Sequence, residues 1–115
     1  MESPDGARCA WCHRPLARRE GAGRPRRFCS ASHRQRAYEA RRRAATLHVP
    51  AGQCIVAEDD LRRLHDRLYR LEAAIEDVTA DLAGDTRAAA YRRATEHLLD
   101  AGRDLVGLVV EPVRE

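Results

Sequence analysis

Four side chains in the first third of the sequence have the spacing of a zinc site. Two thiols separated by two residues can turn toward one ion, and a cysteine and a histidine four positions apart share a helix face. Ser30 directly follows the third cysteine and could cap such a helix. The pattern C-x2-C, sixteen residues, C-x3-H therefore predicts one structural zinc ion. The predicted ligands are Cys9, Cys12, Cys29 and His33.

Other chemistries fit these residues less well. A disulfide framework needs export, and the first eight residues contain no apolar stretch typical of a signal peptide. Unpaired thiols in a reducing cytosol are a further alternative. Cys9–His13 has the C-x-x-C-H form of a haem attachment site, but haem attachment also needs export, and Met1 is the only methionine. His13 is an alternative to His33, although it can hardly reach the same tetrahedral ion as the adjacent Cys12.

The segment around these ligands is too polar to fold by burial alone. Between Met1 and Arg43 the large apolar side chains beyond Met1 are Trp11, Leu16, Phe28 and Tyr38. A structural zinc ion contributes on the order of 10 kcal/mol or more in small fingers. We therefore expect the metal to supply the folding free energy that this core lacks.

The charges are segregated along the chain. All 21 basic residues are arginine, and residues 1–48 carry 12 of them against four acids, a net charge of +8. Residues 49–115 carry nine arginines against 14 acids, a net charge of −5. A basic half joined to an acidic half favours a nucleic-acid-binding module on a different scaffold. No apolar run approaches membrane-spanning length, so the sequence predicts a soluble protein with no membrane partner.

An arginine-rich helix is predicted from about Ala31 to Thr46, directly after the metal ligands. Arginine and glutamine are the side chains that read guanine and adenine edges in the major groove of DNA. The alternative is a solvated helix whose arginines reflect the codon bias of a high-GC genome. The predicted nucleic-acid-binding residues are Arg24, Arg26, Arg27, Arg34, Gln35, Arg36, Arg41, Arg42 and Arg43.

The second half of the chain has the periodicity of a coiled coil. Its apolar residues are spaced alternately three and four apart, first in one helix that Gly84 ends and then in a second helix that Pro112 stops. The short connection predicts an antiparallel hairpin. The predicted core and dimer residues are Leu61, Leu64, Leu68, Leu71, Ile75, Val78, Leu82, Leu98, Leu105 and Val109.

A two-helix hairpin of this length is marginal alone, so we expect its apolar stripe to be completed by a second surface. The simplest completion is a homodimer that forms a four-helix bundle. The alternatives are packing on the zinc module and binding of a different, larger protein.

The string Cys-Ala-Trp-Cys-His-Arg-Pro-Leu, with the later Arg-Arg-Phe-Cys-Ser-Ala-Ser-His-Arg-Gln-Arg-Ala-Tyr, resembles small treble-clef-like FCS-type zinc fingers. Such fingers occur at the N-terminus of uncharacterised proteins from high-GC bacteria. The resemblance covers residues 8–43 and implies zinc binding and a role with nucleic acid. The family has cysteine at the last ligand position, where this chain has His33.

These observations predict a small zinc-stabilised module, a treble-clef-like knuckle plus helix, followed by an all-α antiparallel hairpin or coiled coil. The expected parts are a disordered tail (1–8), the zinc finger with its helix (9–47), a linker (48–57) and the hairpin (58–112). We expect a cytoplasmic, DNA-binding transcriptional regulator, associated with the nucleoid, that dimerises through the hairpin. The alternative is an adaptor docking on RNA polymerase or the ribosome. Because all four predicted zinc ligands are protein side chains, an enzyme is not expected.

Overall fold

The computed structural model describes residues 6–17 and 23–115, and these residues form three helices. Helix α1 spans Ala31–Thr46, α2 spans Glu58–Gly84 and α3 spans Ala88–Val106. The described ranges contain an isolated antiparallel bridge between Arg8 and Pro15 but no strand. Most of the predicted tail, and residues 18–22 of the predicted zinc finger, lie outside the described residues.

The chain divides into two compact units. One unit comprises Met1–Val56 together with Glu111–Glu115, and the other comprises Ala57–Val110. The first unit contains α1 and the four predicted metal ligands, and the second contains α2 and α3. The first unit is therefore assembled from two segments that are distant in sequence.

Helix α1 begins after Ser30, whose side chain accepts a hydrogen bond from a first-turn N–H that has no backbone acceptor. Ser30 is extended (φ −155°, ψ 162°), and its hydroxyl oxygen accepts a hydrogen bond from the backbone N–H of His33 at 3.1 Å. This is the usual N-cap geometry, which satisfies one of the free N–H groups of the first turn. The helix ends at Thr46, and His48 then turns the chain with a positive φ of 57° just before Pro50.

The core of the first unit is small. Its buried side chains are Cys9, Trp11, Phe28, Ala37 and Ala40, so α1 contributes only two alanines to it. Two large aromatic side chains are little apolar surface for a unit of this length. The expectation of a thin core holds for the described residues.

Helices α2 and α3 pack against each other as an antiparallel pair. Arg67 on α2 contacts Asp104 on α3 at 3.7 Å, and Asp77 on α2 contacts His97 on α3 at 3.5 Å. Later residues of α2 thus pair with earlier residues of α3, as expected for antiparallel helices. The hairpin connection is short, and Asp85 accepts hydrogen bonds within it from the side chain and the backbone N–H of residue 87. These bonds lower the pKa of Asp85 below its usual value.

Alanines make up three of the four buried residues of α2 and α3. The buried residues of the pair are Ala74, Val78, Ala90 and Ala94. Several large heptad residues, by contrast, stay about half exposed: Leu61 and Leu68 at 44% each and Ile75 at 50%. The hairpin therefore covers only one edge of the apolar stripe that the heptad spacing predicts.

The second predicted helix is shorter than the apolar spacing indicates. Helix α3 ends at Val106, and the chain from Leu108 onward is not helical, so Val109 lies outside the helix and is 66% exposed. Gly107 follows the last helical residue, and glycine is among the poorest helix formers apart from proline. Among the described residues, no helix has both the length and the apolar character needed to cross a membrane.

Candidate metal centre

The structure brings the four predicted ligands together at the start of α1. One ligand atom from each of Cys9, Cys12, Cys29 and His33 lies within 4.8 Å of all the others. The Sγ atoms of Cys12 and Cys29 are 3.8 Å apart. Nδ1 of His33 lies 3.1 Å from Sγ of Cys29 and 3.9 Å from Sγ of Cys9. The prediction that these side chains form one cluster that could hold a metal ion is confirmed.

These separations match a tetrahedral coordination sphere. Two sulfurs bound at about 2.3 Å to a tetrahedral zinc ion are about 3.8 Å apart, and a sulfur and a nitrogen are about 3.6 Å apart. The observed sulfur to sulfur distance equals the first value, and the two sulfur to nitrogen distances lie on either side of the second. The cluster is therefore consistent with a site for one metal ion.

Backbone hydrogen bonds shape the first cysteine pair into a knuckle. The N–H of His13 donates to the carbonyl of Cys9 at 2.9 Å, and the N–H of Cys9 donates to the carbonyl of Arg14 at 2.9 Å. His13 itself has a φ of 62°, in the left-handed region that non-glycine residues seldom adopt. This turn brings the chain back after Cys12, so that both thiols of the pair face the second pair.

The second pair is positioned by α1. Cys29 precedes the N-cap Ser30, and His33 lies in the first turn, so one hydrogen-bonded cap sets the relative position of both ligands. The imidazole contributes Nδ1 to the cluster. His13 does not belong to the cluster and is exposed, which identifies His33 as the histidine of the site. Cys54 is also exposed and outside it.

Hydrogen bonds prepare one thiol for a cation. Burial alone disfavours the thiolate of Cys9, but hydrogen bonds from three backbone N–H groups and from His33 lower its pKa to about 5. One of these donors is the N–H of Cys29, 3.4 Å from Sγ of Cys9. Burial and the neighbouring thiols instead raise the pKa of Cys29. A cation would therefore meet one preformed thiolate and displace a proton from Cys29.

Replacing Ser30 with alanine is expected to weaken metal binding about five-fold. Loss of an N-cap side chain costs about 1 kcal/mol, and here the cap lies between two ligands. Competition titration with a chromogenic chelator measures the change in affinity. Ser30→Asn keeps a capping oxygen and should retain the wild-type affinity, and Ser32→Ala removes a nearby hydroxyl that is not the cap. An equal loss in Ser32→Ala would show that the cap is not responsible.

The arginines predicted to bind nucleic acid lie around this site in different environments. On α1, Arg34, Arg41, Arg42 and Arg43 are exposed, whereas Arg36 is partly covered and pairs with Glu111 at 3.1 Å. Gln35 is exposed and donates to Glu39 at 3.3 Å. Before the helix, Arg24 is exposed, Arg26 donates to the carbonyl of Cys29 at 3.0 Å, and Arg27 lies 5.6 Å from the ring centre of Phe28.

Sequence reasoning missed the contact of residues 111–115 with the rest of the first unit. The N–H of Val113 donates to the carbonyl of Ile55 at 2.8 Å, and Arg114 pairs with Glu39 at 3.0 Å. The predicted hairpin ended at Pro112, and no pattern in the sequence indicated a contact of this segment with α1.

No protein-family model, no curated protein and no solved structure matches this chain.

Proposed function

We propose that this protein binds DNA through an arginine-rich helix that a structural zinc ion holds in place. The observation that carries the proposal is the position of His33, which belongs both to the metal cluster and to the first turn of α1. A metal ion bound by His33 would therefore also fix the position of α1, the helix that carries the arginines. The role of the metal is structural because four protein ligands fill a tetrahedral sphere and leave no position for substrate.

Zinc is the ion that best fits the donor set. Three thiolates and one imidazole in a tetrahedron form a common structural zinc site, and zinc has no redox chemistry that would oxidise its thiols. This assignment agrees with the resemblance of residues 8–43 to FCS-type fingers. With zinc bound by three thiolates and a neutral imidazole, the site carries a net charge of −1, so the surrounding unit remains strongly basic.

The exposure and charge of α1 support nucleic acid as the partner. Four of its arginines are exposed and form no ion pair with any described residue: Arg34, Arg41, Arg42 and Arg43. An α-helix of this kind fits the major groove of B-form DNA, whereas the major groove of double-stranded RNA is too deep and narrow for side chains to read. DNA is therefore proposed ahead of RNA, with phosphate contacts providing most of the affinity.

The hairpin offers a surface through which two copies could associate. On both helices a large exposed apolar residue directly follows a buried alanine: Ile75 follows Ala74, and Tyr91 follows Ala90. One residue is a rotation of about 100°, and in an antiparallel pair the same rotation places both exposed residues on the same side. The apolar sides of two copies can pack against each other about a two-fold axis, and two hairpins packed in this way would form a four-helix bundle.

An adaptor function is the second candidate, and it depends on the same uncovered apolar side. If that side binds a subunit of a larger nucleoprotein machine, such as RNA polymerase or the ribosome, the basic unit would contact the nucleic acid of that machine. Sedimentation of the pure protein distinguishes the two candidates, because a regulator of the first kind is a dimer and an adaptor is a monomer.

The central test is the salt dependence of DNA binding. We expect the affinity of the zinc-loaded protein for a short duplex to fall steeply as salt rises, because bound phosphates release counterions. The triple variant Arg34→Ala, Arg41→Ala, Arg42→Ala should lower the affinity about 100-fold or more and the slope of log affinity against log salt by about three. Fluorescence anisotropy measures both quantities.

The control for this test is an arginine of the other unit. Arg92 lies on α3, is exposed and forms no ion pair with any described residue, so Arg92→Ala removes one equivalent charge. It should leave both the affinity and the slope nearly unchanged. A flat salt response of the wild-type protein would contradict the proposal, as would equal effects, per arginine removed, of the control and the triple variant.

A further inference from the structure

Residues 111–115 lie against one flank of α1. Oε1 of Glu111 is 3.1 Å from Nη1 of Arg36, and Nη1 of Arg114 is 3.0 Å from Oε2 of Glu39. The N–H of Val113 fixes the segment further through its 2.8 Å bond to a carbonyl of the chain after α1. Arg36 and Glu39 are partly covered, as are residues 111–113. Two ion pairs and one backbone hydrogen bond therefore join the segment to the rest of the first unit.

The opposite flank of α1 is open. Arg34, Tyr38 and Arg41 are spaced four and three residues apart, so they form one stripe along the helix, and all three are exposed. The guanidinium of Arg42 lies 5.8 Å from the ring centre of Tyr38, which holds it next to this stripe. Described carboxylates form ion pairs with none of these arginines, in contrast to Arg36.

We propose that residues 111–115 restrict the nucleic-acid contact of α1 to the stripe of Arg34, Tyr38 and Arg41 with the adjacent Arg42. Arg36 then belongs to the fold and not to the contact surface, and Arg43, seven residues after Arg36, lies on the same flank outside the stripe. This inference rests on the DNA binding proposed above. It specifies which flank faces the phosphates of the duplex and removes Arg36 from the residues that bind them.

The charges on the two flanks of α1, and the competition between Glu111 and a DNA phosphate for Arg36, both favour contact through the open stripe. The charge of Arg36 is already compensated by a carboxylate at hydrogen-bonding distance, so a phosphate would have to displace Glu111 to reach it. The second pair, between Glu39 and Arg114, likewise has no net charge, so this flank attracts phosphate less than the unpaired arginines of the open stripe do. On the open stripe, binding a phosphate breaks no ion pair among the described residues.

The test compares single arginine substitutions on the two flanks, in the full zinc-loaded chain with a short DNA duplex. Arg34→Ala and Arg41→Ala should each lower the affinity about ten-fold and the salt slope by about one. Arg36→Ala, which removes the same charge from the same helix, should keep the slope of the wild-type protein and an affinity within about two-fold of it. Zinc content and fluorescence of the single tryptophan confirm that each variant is folded.

A second variant tests the inference without altering α1. Glu111→Gln removes the negative charge of the segment and leaves every arginine in place. We expect DNA affinity at low salt to rise by up to about three-fold, because the unit gains one net positive charge and long-range attraction to DNA is less screened at low salt. A lower affinity of Glu111→Gln would overturn the inference.

The outcomes separate this inference from the proposed function. If the wild-type protein shows no salt-dependent binding, the proposed function fails and this inference fails with it. If the wild-type protein binds but Arg36→Ala weakens binding as much as Arg41→Ala does, DNA binding stands and only the division of the helix surface is wrong.

Discussion

Replacing Cys29 with alanine is expected to unfold the first unit while the hairpin keeps its helices. Cys29 contacts both neighbouring ligands of the cluster, Cys12 at 3.8 Å and His33 at 3.1 Å, so its loss leaves three ligands and an incomplete sphere. Structural zinc sites contribute about 10–16 kcal/mol in isolated fingers at neutral pH. The small core around Trp11 cannot replace that free energy.

Two spectroscopic signals report separately on the two units. Trp11 is the only tryptophan, and it is buried at 6% exposure in the core beside the cluster, so its fluorescence follows the first unit. Far-ultraviolet circular dichroism is dominated by α2 and α3, which together contain most of the helical residues. In Cys29→Ala, tryptophan emission should shift to that of an exposed indole, while helicity should fall only by the contribution of α1.

Cysteine 54 provides the matched control. Cys54→Ala makes the same chemical change at an exposed thiol outside the cluster, so zinc content and tryptophan emission should be those of the wild-type protein. Removing zinc from the wild-type protein with a strong chelator should reproduce the spectra of Cys29→Ala. Persistence of the folded emission after complete zinc removal would show that the first unit does not depend on the metal. Loss of all helicity would show that both units fold together.

Replacing Leu68 with glutamate is expected to convert the proposed dimer into a monomer. Leu68 lies in one column of the α2 surface with Leu61 and Ile75, because the three positions are seven residues apart. In the single chain Leu68 is already 44% exposed, so a glutamate there can reach water. In a dimer the same carboxylate would be buried opposite apolar side chains. An unpaired buried charge costs about 3 kcal/mol or more, which weakens association about 100-fold.

Sedimentation velocity over a range of concentrations measures this change. Ala80→Glu is the matched control, since it introduces the same charge at an exposed position on the opposite side of α2 and should leave the dimer intact. Thermal unfolding of Leu68→Glu must also be compared at a concentration where the wild-type protein is a monomer, so that a defect of the hairpin itself is recognised. A wild-type protein that is a monomer at all concentrations would contradict the dimer and favour the adaptor function.

The metal cluster and the start of α1 were predictable because short-range chemistry determines them. The distance in sequence between Cys29 and His33 is one helical turn, and a serine in the N-cap position starts that turn. The ligand spacing and the N-cap depend on a few neighbouring residues and not on the packing of the rest of the chain. The pairing of α2 with α3 was predictable for a similar reason, since a short connection allows little else.

The packing face of the hairpin was only partly predictable from the large apolar residues. The heptad spacing follows leucine, isoleucine and valine and correctly includes the buried Val78, whereas the other three buried residues are Ala74, Ala90 and Ala94. Alanine allows two helix backbones to approach closely, but it carries little weight in a hydrophobic pattern. The residues with the strongest pattern, such as Leu61 and Ile75, consequently remained half exposed.

The ion pairs of residues 111–115 could not be predicted from sequence at all. Arg36 and Glu111 are 75 positions apart, as are Glu39 and Arg114, and no periodic pattern connects them. With 21 arginines and 18 acids in the chain, many pairings of opposite charge are equally compatible with composition. Three-dimensional placement alone selects the observed pairs.

The division of the first unit into two separated segments also governs the order in which the protein can fold. During synthesis, the segment up to Val56 with its metal ligands is made long before Glu111 leaves the ribosome. The ion pair between Arg36 and Glu111 can therefore form only after the whole hairpin has been synthesised. Closing the 75-residue loop between Arg36 and Glu111 also carries a larger entropic cost than closing the loop between Cys9 and His33 at the metal site. The segment that contains the metal cluster should thus bind its metal first, while Arg36 and Glu39 are still unpaired, and the ion pairs on that flank of α1 should form only after residues 111–115 have been synthesised.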